Sequence, residues 1–167
     1  AQGSNIAVPD KDTLWQVEVE GETQTLTATT PVTLRWDNGA GFIFRRTIAV
    51  DQNYLFTVTQ SIENTTGAAA SFFPYSRVAR HGPPQDANFF ILQEGPYRVL
   101  GSENLVELNY PDLPKQGQKD VASTGGWHGF TDKYWAAVIL PAPGTPINAR
   151  FSHSRAAALD IYQTGFV

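Results

Sequence analysis

Residues 124–141, with the sequence TGGWHGFTDKYWAAVILP, combine a Gly-Gly turn, large aromatic side chains and an uninterrupted apolar run. Glycines adopt positive φ angles without steric cost, so the first two of them allow the aromatic residues that follow to turn toward a core. The polar segment 131–133 is typical of a tight turn. The seven apolar residues 134–140 predict a strand buried on both faces, and periodicity alone leaves a buried helical turn as the alternative. We expect the structural hub of the fold to consist of Gly125, Gly126, Trp127, Phe130, Tyr134 and Trp135.

The rest of the chain predicts strand after strand with little helix. Alternating or extended patterns cover 14–20, 32–36, 42–50, 54–61, 68–78, 89–92, 97–100, 105–109, 147–153 and 157–167. Asn38-Gly39 between two of these runs is a strong hairpin signal. The only helical turn lies within 112–118, where Pro114 and Gly117 keep it short. Strands about ten residues apart indicate an all-β, antiparallel fold. Residues 1–12 are expected to form an arm or loop.

Length and composition indicate one globular domain spanning residues 1–167. A chain of 167 residues removes roughly 70% of its unfolded surface from water on folding. Hydrophobic residues make up 41% and charged residues 17%, and cysteine is absent. The net charge of −4 provides no basic surface of the kind that nucleic acids require. We therefore expect no nucleic-acid partner and no thiolate chemistry.

The three histidines, His81, His128 and His153, lack the close spacing that metal sites show in sequence. We expect ordinary strand or turn histidines, no metal and no cofactor. No serine lies in a G-x-S-x-G nucleophile motif, and the glycines form no phosphate-binding loop. The sequence therefore predicts no catalytic residue.

Three stretches together resemble one known family. GGWHGFTDKYWAAVILP at 125–141, LTATTPVTLRWDNG at 26–39 and PYSRVARHG at 74–82 are similar to the large periplasmic domain of the YidC insertases, most of all to alphaproteobacterial members. The resemblance implies an antiparallel β-supersandwich like that of galactose mutarotases. It also implies a piece excised between membrane-embedded segments, located at the bacterial inner membrane and facing the periplasm.

Two functions follow from this resemblance. The first is a non-catalytic scaffold and interaction surface that meets nascent membrane proteins, accessory subunits of the Sec translocon and the rest of the insertase, for instance by strand addition at an exposed sheet edge. The alternative is a carbohydrate-binding or mutarotase-like domain. His81, His128 and a carboxylate such as Asp132 or Glu94 would then serve a sugar cleft.

Several side chains are candidates for binding under either function. Trp127, Tyr134 and Trp135 could stack against a sugar or form a wall for a peptide, although core packing is the commoner role of such rings. The candidate binding residues are Arg80, His81, His128 and Asp132.

Overall fold

A computed structural model describes residues 5–19, 24–84 and 93–167. The chain divides into two compact units, Ala1–Phe73 and Pro74–Val167. Antiparallel strands dominate the described residues of both units, and helix is confined to one short segment. The all-β prediction is confirmed.

The first unit contains one four-stranded antiparallel sheet. Its strands are β1 (Gln16–Val17), β2 (Val32–Asp37), β3 (Phe42–Val50) and β4 (Phe56–Asn64), in the spatial order β1-β2-β3-β4. The predicted hairpin joins β2 to β3. There the side-chain oxygen of Asn38 accepts hydrogen bonds from the backbone of Ala40 and Phe42, and Gly39 takes a φ of 68°.

The two faces of this sheet differ in polarity because side chains alternate along each strand. On one face, Phe42 and Phe44 are buried and pack edge-to-face against Phe72, with ring centroids 5.5 and 5.8 Å apart. On the other face, Arg45 forms ion pairs with Glu18 and Glu63. One face thus supplies the apolar packing of this unit and the other is polar.

The second unit contains two four-stranded antiparallel sheets that enclose a core. Their strands are β5 (Ser76–His81), β6 (Gly95–Leu100), β7 (Val106–Glu107), β8 (Lys119–Thr124), β9 (Gly126–Thr131), β10 (Ala136–Ile139), β11 (Pro146–Ala156) and β12 (Leu159–Phe166). One sheet has the order β10-β9-β6-β7 and the other β5-β12-β11-β8. Phe130 from the first sheet and Phe151 and Tyr162 from the second share one buried cluster.

The predicted helical turn completes that cluster. A 3-10 turn, Tyr110–Asp112, runs directly into the short helix α1, Leu113–Gln116. Pro114 occupies the start of α1, and Gly117 ends it with a φ of 67°. The segment inserts Tyr110 and Leu113, which are 3% and 1% exposed, between the sheets.

Two strand predictions need correction. The expected strand at 14–20 pairs only over Gln16–Val17, because it lies at the sheet edge, where its side chains are largely exposed. The expected strand at 68–78 is irregular up to residue 75, and β5 begins after Pro74, which has no N–H to donate. Strands β8 and β9 were not predicted as strands, and the stretch 89–92 lies outside the described residues.

The predicted hub is only partly buried. Phe130 is 4% exposed, whereas Tyr134 and Trp135 are 75% and 80% exposed. The prediction of a strand buried on both faces is wrong, because β10 is an edge strand whose first three residues are exposed. Trp127 does not face the core either. His128 and Phe130 take the inward positions of β9, so alternation places Trp127 on the opposite face.

Candidate functional site

Asp132 joins three elements of the second unit. It opens the turn between β9 and β10, where backbone hydrogen bonds link Asp132 and Trp135 in both directions, as the polar turn pattern predicted. Its carboxylate accepts a hydrogen bond of 2.6 Å from the hydroxyl of Tyr110 and one of 2.8 Å from Nε of Arg80. The carboxylate therefore ties this turn to the 3-10 turn and to strand β5.

This cluster of Arg80, Tyr110 and Asp132 lies at the margin of the core. Burial raises the pKa of Tyr110 well above its ordinary value, and the hydrogen bond to Asp132 acts in the same direction. Tyr110 therefore remains a hydrogen-bond donor across the physiological pH range. The side chains of Arg80 and Asp132 are still 35% and 21% exposed, so solvent reaches the ion pair.

His128 lies in the interior between the two sheets and is 0% exposed. Its Nδ1 is 2.6 Å from the hydroxyl oxygen of Thr164, and the rings of Phe151 and Phe166 contact it edge-on. Burial lowers the pKa of His128 to about 4, with a further contribution from the positive charge of Arg98. The imidazole is therefore neutral at physiological pH and closed to any ligand in solution.

Arg98 is a buried charged group beside His128, at 2% exposure. Arg98 and His128 lie directly opposite each other in the antiparallel register of β6 and β9. The Nε of Arg98 lies 3.0 Å from a carboxylate oxygen of Glu103, and its guanidinium group lies 5.3 Å from the centre of the Phe151 ring. A buried charge is tolerated when it is paired and hydrogen-bonded in this way. The arrangement explains how a charge can lie beside a neutral histidine.

The structure brings only two of the four predicted binding residues together. Arg80 and Asp132 form an ion pair. His81 is exposed on the opposite face of β5 from Arg80, because side chains alternate along the strand. His128 lies on the inner side of the unit, so it shares no surface with His81. A binding role for these four residues stays a prediction.

The other titratable side chains of the described residues form no arrangement typical of a metal site. Within residues 5–19, 24–84 and 93–167, no group of three or more histidine, cysteine or carboxylate side chains is arranged to hold a metal ion. The remaining histidine, His153, has Nε2 2.8 Å from a carboxylate oxygen of Asp160 in the next strand. This pair bridges the β11–β12 hairpin.

Sequence reasoning missed Tyr110 and Thr164, the hydrogen-bond partners of Asp132 and His128. They lie 22 and 36 residues from those partners along the chain. No local pattern links residues at such separations. The signal for Thr164 is its inward position on an alternating strand. That signal becomes useful only when the packing of the sheet that contains β9 on the sheet that contains β12 is known.

Comparison with known proteins identifies one family for the chain. The sequence model of the YidC periplasmic domain matches residues 1–167. The chain belongs to the YidC periplasmic domain family. The resemblance noted in the sequence is confirmed.

The relatives of this YidC-family chain are named membrane protein insertase YidC. One from Nitrobacter hamburgensis is 42% identical over 167 residues, covering 100% of the chain and 27% of that protein. One from Beijerinckia indica is 45% identical, covering 96% of the chain and 26% of that protein. One from Paracoccus denitrificans is 46% identical, covering 98% and 26%. All three organisms are alphaproteobacteria, and the chain spans about a quarter of each relative.

Among the residues that the structure describes, none of the helical segments has the length and apolar character to cross a bilayer.

Proposed function

We propose that the chain is a non-catalytic periplasmic domain of an inner-membrane protein insertase, acting as a scaffold and interaction surface. The family match and the names of the relatives support the insertase context. The partners that we propose are nascent membrane proteins, accessory subunits of the Sec translocon and the remainder of the insertase. The domain would assist such proteins, as a chaperone does, while insertion takes place in the membrane.

The observation that carries the proposal is the exposed edge formed by β10 and the turn before it. Strand β10 pairs with β9 on one side only. Tyr134, Trp135 and Leu140 flank it with exposures of 75%, 80% and 72%, and Val138 within it is 40% exposed. An open sheet edge with apolar side chains can accept an extended peptide by strand addition. Segments of unfolded membrane proteins are apolar and suit such an edge.

The titratable side chains support a non-catalytic role. Asp132 accepts hydrogen bonds from Arg80 and Tyr110, and His128 is enclosed beside Thr164. A general acid or base must reach the proton it transfers, directly or through one water molecule. Each of these groups instead holds elements of the fold together, three in the case of Asp132 and two in the case of His128.

Site-specific photocrosslinking in the full-length insertase tests the proposal. A photoreactive amino acid is placed at Val138 in the edge strand, and a matched control is placed at Lys115, which is exposed on α1. We expect crosslinks to a translating membrane protein, or to a Sec subunit, from position 138 and few from position 115. Equal crosslinking from both positions, or none from 138 during active insertion, would contradict the proposed surface.

A further inference from the structure

The outer face of the sheet β5-β12-β11-β8 carries a row of four residues, one from each strand. Asp120 pairs with Arg150, Arg150 with Gly165, and Gly165 with Arg77. Residues directly opposite in antiparallel strands place their side chains on the same face. Gly165 has no side chain, so the backbone between Arg77 and Arg150 is left uncovered. We call this uncovered backbone the floor.

A cleft of about 270 Å³ lies over this row. Its walls include the exposed ring of Tyr75 and the polar side chains of Asn148, Ser152 and Gln163. Gly165 is also required by the backbone, because a Cβ there would come within 2.5 Å of the carbonyl oxygen of Ser76. Close approach of β5 to β12 thus keeps the floor of the cleft open.

The cleft is locally cationic in a chain whose net charge is −4. Two guanidinium groups and one carboxylate, that of Asp120, line it. Arg150 donates to both oxygens of Asp120, at 2.6 and 2.7 Å. Arg77 is exposed and forms no ion pair with any residue in the described ranges. One arginine is thus held in place while the other is available to an incoming anion.

We propose that this cleft binds the phosphate group of a small polyol, such as glycerol phosphate, whether free or as the headgroup of a lipid. Two strand spacings separate Arg77 from Arg150, about 10 Å between Cα atoms, so both long side chains can converge on one anion. A tetrahedral phosphate would accept hydrogen bonds from the fork of Arg77, and Arg150, whose Nε and Nη2 donate to Asp120, would offer the remaining N–H groups of its guanidinium. The amides of Asn148 and Gln163 and the hydroxyl of Ser152 are positioned for the hydroxyl groups of the polyol.

Titration of the chain with sn-glycerol 3-phosphate, followed by calorimetry and by NMR of the arginine Nε–H groups, tests the site. We expect binding that weakens with added salt, because the attraction is between exposed charges. Arg77→Gln should weaken binding by about ten-fold or more, since it removes charge-assisted hydrogen bonds. Asp120→Asn should strengthen binding, because it removes the competing carboxylate. The control Arg155→Gln changes an exposed arginine at the far end of the same strand, β11, and should have no effect.

Each arm of the experiment has a result that overturns the proposal. Equal affinity for inorganic phosphate and for glycerol 3-phosphate would show that the polyol contributes nothing to binding, so that the cleft holds an adventitious ion only. Binding that both Arg77→Gln and Asp120→Asn leave unchanged would show that the ligand lies outside this cleft. A lipid source would be identified if the chain cosediments with phosphatidylglycerol vesicles and not with phosphatidylcholine vesicles, and if Arg77→Gln abolishes that cosedimentation. Binding to glycerol 3-phosphate alone would identify a free one, and binding to neither would refute the site.

Discussion

The enclosed imidazole of His128 makes stability depend on pH in a direction that can be worked out. The folded state holds the pKa of His128 at about 4, against about 6.5 in an unfolded chain. As pH falls below 6.5, the imidazole of His128 becomes protonated in the unfolded state, whereas in the folded state it stays neutral down to about pH 4. Stability from this group is therefore complete above pH 6.5 and declines between pH 6.5 and 4.

The size of this effect follows from the same two pKa values. Each pKa unit corresponds to about 1.4 kcal/mol, so the complete loss is about 3 kcal/mol, most of it already present at pH 4.5. That is a large share of the ~5–15 kcal/mol that stabilises a typical domain. Burial is the main cause of the lowered pKa, and the positive charge of Arg98 across the strand pair contributes the rest.

Urea unfolding at pH 7.5 and pH 4.5, followed by tryptophan fluorescence, measures this loss. His128→Gln cannot take up the proton and should show a smaller difference in unfolding free energy between the two pH values, by about 2.5 kcal/mol. The control His81→Gln replaces an exposed imidazole and should retain the wild-type difference. An NMR titration midpoint for His128 near 6.5, or identical pH dependence in wild type and His128→Gln, would refute this reasoning.

Three further predictions concern stability and can be checked by urea melts at neutral pH. Tyr110→Phe should cost about 1.5–3 kcal/mol, because it removes a hydrogen bond to the charged carboxylate of Asp132; a cost below about 0.5 kcal/mol would show that the bond is replaced by water. Trp127→Ala should lower the free energy of unfolding by about 2 kcal/mol, because the ring packs edge-to-face on Tyr97. Trp135→Ala should change it by no more than about 0.5 kcal/mol, because that ring is exposed. A larger loss for Trp135→Ala than for Trp127→Ala would contradict the fold. Gly126→Ala should cost at least about 2 kcal/mol, since φ is 96° and a Cβ would overlap a carbonyl oxygen of β6; a neutral effect would contradict the turn.

The strand content was predictable because it follows from local patterns. The limits of β3 agree with the sequence prediction, and the hairpin at Asn38 follows from turn chemistry alone. The apolar run at 134–140 misled the prediction because apolarity does not specify what covers a residue. A strand at the edge of a sheet can present Trp135 and Val138 to solvent.

The arrangement of the site was less predictable because it depends on register. Alternation along β9 predicts two faces, but only pairing with β6 and packing on β12 decide that His128 faces inward beside Thr164. Moving the register by one residue would exchange His128 for Trp127 in the core. The row formed by Arg77, Gly165 and Arg150 likewise exists only once three strands are paired.

Membrane insertion by the full-length insertase tests the proposed non-catalytic role most directly. His81→Ala and Asp132→Asn change the two solvent-accessible titratable groups among the predicted binding residues, and circular dichroism with a thermal melt verifies that each variant is folded. The proposed role predicts insertion of a simple substrate at close to the wild-type rate for both variants. A proton-transfer role would lower the rate by roughly 10²–10⁴-fold, so a folded variant with a loss of that size would contradict the non-catalytic role.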